Sequence, residues 1–96
     1  MIELYINGSS GRMGTTIINL VHTNNEFKVT NDLSSADVVI DFSHPLSTKK
    51  IIKNCVKNNT PMVIGTTGFN KDVLGKIDIA SKTLPIVLAA NMSIGV

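Results

Sequence analysis

Hydrophobic residues along the chain follow two patterns, one typical of short strands and the other of amphipathic helices. Residues 2–6 alternate between apolar and polar side chains and are rich in strand-forming types, which predicts a strand. Apolar runs within 37–42, 61–64 and 85–89 are bounded by polar residues, Pro or Gly, and they predict buried strands. A weaker run at 27–30 predicts one more short strand.

Three segments between these runs place apolar residues at helical spacing. The spacing predicts helices over 12–22 and 70–81, and another that opens at Pro45 and stops at 58–59. Strands that alternate with helices of this length are joined by crossover connections and form a parallel sheet. The sequence therefore predicts an α/β fold: a shortened, Rossmann-like, doubly wound parallel sheet with helices on both faces.

The composition limits the size of the molecule and its kinds of partner. The chain has 96 residues and forms one domain at most, and its scarcity of aromatic residues requires an aliphatic core. A net charge of +2 is too balanced for nucleic acid or a membrane surface as a partner. The clustered lysines have the spacing of one solvent-exposed helix face: Lys49, Lys50, Lys53 and Lys57.

Cys55 is the only cysteine, so no internal disulfide can form. Its neighbours predict a half-buried thiol in the core and disfavour a catalytic role, which would need a cationic partner and an exposed turn. The sequence shows neither a charged and apolar leader segment nor a long apolar span, and we expect a cytoplasmic protein.

Four loops leave strands at the carboxyl edge of the predicted sheet, where proteins of this class bind ligands. They comprise residues 8–14, 43–44, 65–68 and 91–93, and they hold most of the glycines together with several Ser, Thr and Asn residues. This co-location predicts a functional site at that edge.

The first of these loops has glycines at the spacing G-x-x-G-x-x-G, between a strand and a helix. This is the context of the dinucleotide-binding fingerprint, although Ser9 and Ser10 stand where G-x-G-x-x-G has one residue. Gly8 allows a tight turn, and Gly11 allows backbone N–H groups to approach a pyrophosphate. Arg12 is placed to pair with a phosphate or to stack on the adenine. The alternative is a glycine-rich turn that binds nothing.

Three further motifs follow this loop: V-V-I-D-F-S-H-P at 38–45, V-I-G-T-T-G-F at 63–69 and A-A-N-M-S-I-G-V at 89–96. Together with G-R-M-G at 11–14, they resemble the motifs of the dihydrodipicolinate reductase (4-hydroxy-tetrahydrodipicolinate reductase) family over nearly the whole chain. The resemblance is to the N-terminal, nucleotide-binding domain. It implies NADPH or NADH as the cofactor, and reduction of a cyclic imine-like precursor in lysine and diaminopimelate biosynthesis by the intact protein.

The resemblance implies a role for each loop. Residues 8–13 are expected to hold the cofactor pyrophosphate, 65–67 to line the nicotinamide and its ribose, and 89–92 to close the nicotinamide pocket. Ser43 and His44 are expected on the ribose side of the cofactor, and no catalytic residue or metal ligand is expected within the chain. The implied cofactor-binding residues are Gly8, Ser9, Ser10, Gly11, Arg12, Met13, Gly65, Thr66, Thr67, Ala89, Ala90, Asn91 and Met92.

Several residues near these loops also have a purely structural interpretation. Thr66 and Thr67 suit a hydrogen-bonded helix cap. Asp41 is favoured as a strand-end residue that pairs with local backbone N–H groups, rather than as a catalytic group. His44 is as readily a helix cap or surface residue as a ribose contact, and His22 suits a cation at a helix C-terminus.

The chain departs from the family between its first helix and residue 37. The family has a second strand there that ends in an acidic residue for the adenosine ribose, followed by a long connection. Here that strand and its helix are expected to be trimmed away, with Glu26 or Asp32 as the candidates to replace the acidic residue. No acidic partner for the adenosine ribose is evident, and Arg12 and nearby lysines are able to meet a 2′-phosphate, so we expect use of both NADH and NADPH.

A second departure lies at the end of the chain. In the family, the motif at 89–96 leads into an α+β substrate domain with a His-rich motif and a Lys, which are absent here. Residues 1–96 are therefore expected to be a dinucleotide-binding domain, and a fragment that alone binds nucleotide weakly and reduces nothing. A small-molecule substrate is expected only with the missing domain, and the intact family protein is expected to be a homotetramer.

Other classes of protein fit the same fold. One is the first domain of another NAD(P)-dependent dehydrogenase, such as an aspartate or homoserine dehydrogenase, against which the motifs at 63–69 and 91–96 argue. Others are a non-catalytic NAD(P)-binding or interaction domain and a fragment without function. Fold alone does not separate these classes. A nucleotide titration does separate the last one, because a functionless fragment predicts no binding.

Overall fold

Five parallel strands form one sheet in the described part of the chain. The computed structural model describes residues 2–8, 11–66 and 68–88, with the backbone alone at 12 and 13. The strands are β1 (Ile2–Asn7), β2 (Phe27–Val29), β3 (Val38–Asp41), β4 (Met62–Ile64) and β5 (Ile86–Leu88). The helices are α1 (Arg12–His22), α2 (Pro45–Asn58) and α3 (Lys71–Ser81), and a 3-10 turn (Leu33–Ser35) lies between β2 and β3. The predicted α/β order is confirmed.

The strands lie in the order β2-β1-β3-β4-β5, and every neighbouring pair is parallel. Successive side chains of a strand point to opposite faces, so the sheet presents two apolar faces. Val39, Met62 and Ile64 pack with α2 and α3 in the larger core. Leu4 and Ile6 are buried on the opposite face, where α1 lies against β1 and β2. Helices therefore cover both faces, as predicted.

The larger core is built where α2 and α3 pack against each other and against the sheet. The two helices contribute Ile51, Ile52, Cys55, Val73, Ile77 and Ala80 to it. Cys55 is completely buried rather than half-buried, which corrects the sequence-based expectation. Its burial, together with the nearby negative charge of Asp41, raises the pKa of the thiol to about 12. The thiol therefore stays protonated and unreactive at neutral pH.

The connection from β2 to β3 is short because the two strands meet at one level of the sheet. Leu4 of β1 is the register partner of both Val29, at the end of β2, and Val38, at the start of β3. The chain can therefore pass from one side of β1 to the other without running back along the length of the sheet, and residues 30–37 contain only the 3-10 turn. Leu33 of this turn packs against the larger core. β2 confirms the short strand predicted at 27–30. The connection from β2 to β3 contains the 3-10 turn and no helix of α type within residues 30–37.

The exposed side of α2 carries the predicted row of lysines. Lys50, Lys53 and Lys57 are exposed, and the half-buried Lys49 donates to the Asp72 carboxylate of α3 at 2.8 Å. This hydrogen bond and the charge of Lys49 hold the pKa of Asp72 below its ordinary value.

Across the described ranges, no helix combines the length and the apolar character needed to cross a membrane.

Candidate functional site

The course of the chain reverses between β1 and β3. From β1 the chain passes through α1 to β2 on one side, and it then crosses to β3 on the other side of β1. In open parallel sheets, ligands bind in the crevice at such a reversal, outside the carboxyl ends of the strands. Here Gly8 follows β1 and Phe42 follows β3, so these two residues border the crevice.

Gly8 turns the chain sharply out of β1. Its φ of 90° is a conformation that residues with a Cβ rarely adopt. A methyl group there would also lie 2.4 Å from the carbonyl oxygen of Phe42. The carbonyl of Gly8 accepts a hydrogen bond from the N–H of Gly11 at 3.0 Å, which closes the turn onto α1. The turn therefore requires glycine at this position, as the sequence predicts.

α1 begins after Gly11, an N-cap residue that has no side chain with which to cap the helix. Gly11 has extended backbone angles and makes no side-chain capping bond, and the first turn of α1 contains no acidic residue. α3 shows the opposite arrangement, because the Asn70 side chain accepts from the N–H of Val73 and Asp72 lies in the first turn. N–H groups at the start of a helix carry partial positive charge. The start of α1 can therefore bind an anion from outside the helix.

Gly65 allows the ends of β3 and β4 to approach each other closely. A methyl group on Gly65 would overlap the ring of Phe42, whose Cε1 atom would be 1.9 Å away. The N–H of Gly65 donates to the carbonyl oxygen of Asp41 at 2.7 Å. Phe42 thus lies against Gly65 through its ring and against Gly8 through its backbone. This arrangement brings together the loops expected to hold the pyrophosphate and the nicotinamide.

A buried carboxylate lies directly beneath these loops. Asp41, at the end of β3, is completely buried. Its Oδ1 atom accepts from Asn7 Nδ2 at 2.9 Å and from Ser43 Oγ at 2.5 Å. Its Oδ2 atom accepts from Thr66 Oγ1 at 2.9 Å and from the Thr48 hydroxyl. The expectation that the carboxylate pairs with local backbone N–H groups was wrong, since its four partners among the described residues are side chains.

Sequence reasoning does not identify Asn7 and Thr48 as members of this cluster. Thr48 does give a signal, because it lies at helical spacing from Ile51, Ile52 and Cys55 in the apolar stripe of α2. A polar residue in such a stripe needs a buried hydrogen-bonding partner, and Thr48 is completely buried. Asn7 gives no such signal, because it stands at the start of a loop rich in polar residues.

The structure describes Thr66, His44 and His22 in full but leaves most of the other predicted site residues undescribed. The Thr66 side chain is buried, and its hydroxyl accepts from the N–H of Ser43 at 3.0 Å, so it supports the loop from the inside. His44 is the exposed N-cap residue of α2, with no side-chain capping bond, and His22 is exposed in the last turn of α1. Outside the described structure lie the side chains of Arg12 and Met13 and all of Ser9, Ser10, Thr67, Ala89, Ala90, Asn91 and Met92.

The sequence matches the family model described as dihydrodipicolinate reductase, N-terminus, over residues 2–36 and 28–92. The chain belongs to the dihydrodipicolinate reductase family. Residues 28–36, which include most of the connection between β2 and β3, belong to both matched segments. Such an overlap is expected where this chain has fewer residues than the family pattern. Membership of this family disfavours the alternative of an aspartate or homoserine dehydrogenase domain.

Individual members of the family are similar to the whole of this chain. The 4-hydroxy-tetrahydrodipicolinate reductase of Alkaliphilus oremlandii is 38% identical over 104 residues, covering 98% of this chain and 43% of that protein. The protein of the same name from Rickettsia rickettsii is 37% identical over 108 residues, covering 99% and 45%. The dipicolinate-bound dihydrodipicolinate reductase from Paenisporosarcina sp. TG-14 has a TM-score of 0.77 at 25% identity, covering 99% and 49%. This chain therefore spans less than half the length of these relatives.

Proposed function

We propose that this chain is the nicotinamide-nucleotide-binding part of a 4-hydroxy-tetrahydrodipicolinate reductase. The observation that carries the proposal is the start of α1, where the N-cap residue Gly11 supplies no capping side chain and follows the turn out of β1 at the chain reversal between β1 and β3. A pyrophosphate supplies the negative charge that complements the N–H groups of this helix start. Family membership supports NADPH or NADH as the source of that pyrophosphate.

Each part of the site has a separate task in this proposal. When bound, the nicotinamide supplies a hydride to the substrate, a precursor in lysine and diaminopimelate biosynthesis. Gly11 lets the backbone approach the pyrophosphate, because it has no side chain to stand in the way. The loop of Gly65 lines the nicotinamide ribose, and residues 89–92 are assigned to the nicotinamide pocket by the family motif.

The end of β2 supports the use of both nucleotides. β2 ends beside Leu4, whereas β1 continues for three more residues to Asn7. The end of β2 therefore lies about 10 Å short of the end of β1, measured along the strands. Asp32 is occupied as a cap, because its Oδ1 atom accepts from the N–H and hydroxyl of Ser34. Glu26 lies at the opposite edge, where its carbonyl accepts from the N–H of Ile2. The position of Glu26 and the capping role of Asp32 therefore support a site that does not reject a 2′-phosphate.

Calorimetric titration with NADPH and NADH tests the proposal. We expect both to bind, with dissociation constants within about tenfold of each other, or about 1.4 kcal/mol. A preference for NADH of more than about a hundredfold would indicate an acidic ribose ligand. A folded chain that binds neither nucleotide would refute the function and favour a fragment without function.

We also propose that the proton donor for the reduction lies outside the described residues. Asp41 is buried and hydrogen-bonded through both oxygens, and His22 lies at the opposite end of α1 from the turn at residues 8–11. A general acid must come within hydrogen-bond reach of the reacting group. The 96-residue polypeptide is expected to bind NADPH without oxidising it when fresh substrate is added. Turnover that His44→Ala abolishes would contradict this.

A further inference from the structure

We propose that Asp41 is a positioning residue for the nucleotide, a role that rests on the proposed function. Four hydrogen bonds connect its carboxylate to side chains at the ends of β1, β3 and β4 and in α2. Because it is completely buried, it touches neither nucleotide nor substrate. It acts by setting the relative positions of three loops at the crevice, which are those that follow β1, β3 and β4.

The carboxylate has no capacity left for another ligand. Each of its oxygens accepts two hydrogen bonds, and all four donors are uncharged. A carboxylate offers about four lone-pair sites, so these donors fill them. No group of three or more His, Cys, Asp or Glu within the described ranges could hold a metal ion. A buried charge is tolerated only when it is well hydrogen-bonded, so the fold must hold all four donors in place.

The Asn7 side chain connects β1 to α2. Asn7 directly precedes Gly8, whose turn leads to the start of α1. Because a carboxylate oxygen of Asp41 can only accept, the Asn7 amide must present its NH₂ group to the cluster. That group also lies 3.1 Å from Ser43 Oγ and 3.0 Å from Ser47 Oγ, in the first turn of α2. The exit of β1 is therefore held to the start of α2.

The Thr66 side chain connects β4 to β3. Its hydroxyl donates to Asp41, which leaves the hydroxyl oxygen to accept from the backbone N–H of Ser43 at 3.0 Å. Loss of the carboxylate acceptor would remove the bond that holds the Thr66 hydroxyl beside the N–H of Ser43. Thr66 directly follows Gly65, so the same bonds hold the loop that is expected to line the nicotinamide.

Thr48 allows a test that leaves all three loops unchanged in sequence. Thr48→Val removes one donor from Asp41 with little change in volume. We expect it to weaken NADPH binding about tenfold, or about 1.4 kcal/mol, and Asp41→Asn to weaken it at least as much. Thr48→Ser keeps the hydroxyl and is expected to recover most of the affinity that Thr48→Val loses. Ile77→Val, in the core on α3, is the control and is expected to bind as the unaltered chain does.

Thermal melts followed by circular dichroism establish that each variant is folded at the temperature of titration. Equal affinity in the unaltered chain and in folded Thr48→Val and Asp41→Asn would overturn the proposal. So would a loss in Thr48→Ser equal to that in Thr48→Val. A second measurement needs no nucleotide: the amide NMR shifts of Gly8 and Gly65 are expected to move in Thr48→Val and not in Ile77→Val.

The two measurements separate this proposal from the function on which it rests. Amide shifts that stay unmoved in Thr48→Val would overturn the positioning role, whatever the affinity for NADPH. Shifts that move in a chain that binds no NADPH would refute the proposed function and support the role of Asp41 in placing the loops.

Discussion

Replacing Gly11 by Asp is expected to weaken nucleotide binding without lowering folding stability. Gly11 has φ −79° and ψ 172°, an extended N-cap conformation that Asp adopts readily. The new carboxylate would accept hydrogen bonds from the first-turn N–H groups and lie at the positive end of the helix dipole. The same N–H groups are the ones assigned to the pyrophosphate, so the substitution occupies the proposed anion site from within the chain.

The expected change in stability is small and favourable. An Asp cap in place of Gly contributes roughly 0.3 kcal/mol, and a negative charge beside the first turn contributes about 0.3–1 kcal/mol. Against these gains, the added Cβ would lie 3.3 Å from the carbonyl oxygen of Gly8, a tight contact that requires a shift of a few tenths of an ångström. We expect the free energy of unfolding to stay constant or rise by up to about 1 kcal/mol.

Binding is expected to weaken by at least about a hundredfold, or about 2.7 kcal/mol, because the carboxylate occupies the donors and repels the pyrophosphate. Urea denaturation measures the stability, and calorimetric titration with NADPH measures the affinity. Gly75→Ala is the matched control, since Gly75 is exposed in α3 and a methyl group there meets nothing within 4 Å. A stable Gly11→Asp chain that binds NADPH as tightly as the unaltered chain would refute the reasoning.

The remaining predictions concern the fold itself, at Gly8, Gly75 and Cys55. Gly8→Ala is expected to lower the free energy of unfolding by about 2 kcal/mol or more in urea denaturation, because of the positive φ and the 2.4 Å overlap with Phe42. Gly75→Ala is expected to raise it by about 0.5–1 kcal/mol, and a decrease would contradict the open surroundings of that residue. Cys55 is expected to resist a disulfide reagent at pH 8 until urea unfolds the chain. The pKa of the Cys55 thiol is about 12 in the folded chain and 9.0 ordinarily. As the pH rises, the thiol therefore loses its proton in the unfolded chain before it does so in the folded chain. Stability should therefore fall as pH rises from 9.0 towards 12, and Cys55→Ala should remove this dependence.

The fold class and the elements follow from the sequence because their causes are local. The alternation at residues 2–6 and the apolar stripe of α2 reflect the periods of strand and helix, which a short segment displays by itself. The turn after β1 is equally local, because Gly8 has a positive φ that few other residue types adopt. The strand–turn–helix context then indicates a phosphate site before any tertiary contact is known.

Strand register, in contrast, is decided by the tertiary structure. Leu4 is the register partner of both Val29 and Val38, so a short turn suffices to connect β2 to β3. The length of residues 30–37 alone does not show that β2 ends and β3 begins at the same level of the sheet. Register depends on how the faces of neighbouring strands pack against their helices, and a single segment contains no record of that packing.

The surroundings of Asp41 are likewise decided only in three dimensions. Asn7 lies 34 residues away in the sequence and Thr66 lies 25 away, yet both donate to its carboxylate. The chain has many Ser, Thr and Asn residues, and the sequence does not show which of them meet. A carboxylate can be buried only where donors from several segments arrive together. That condition is met where the ends of parallel strands converge on the start of α2, and convergence is a property of the fold.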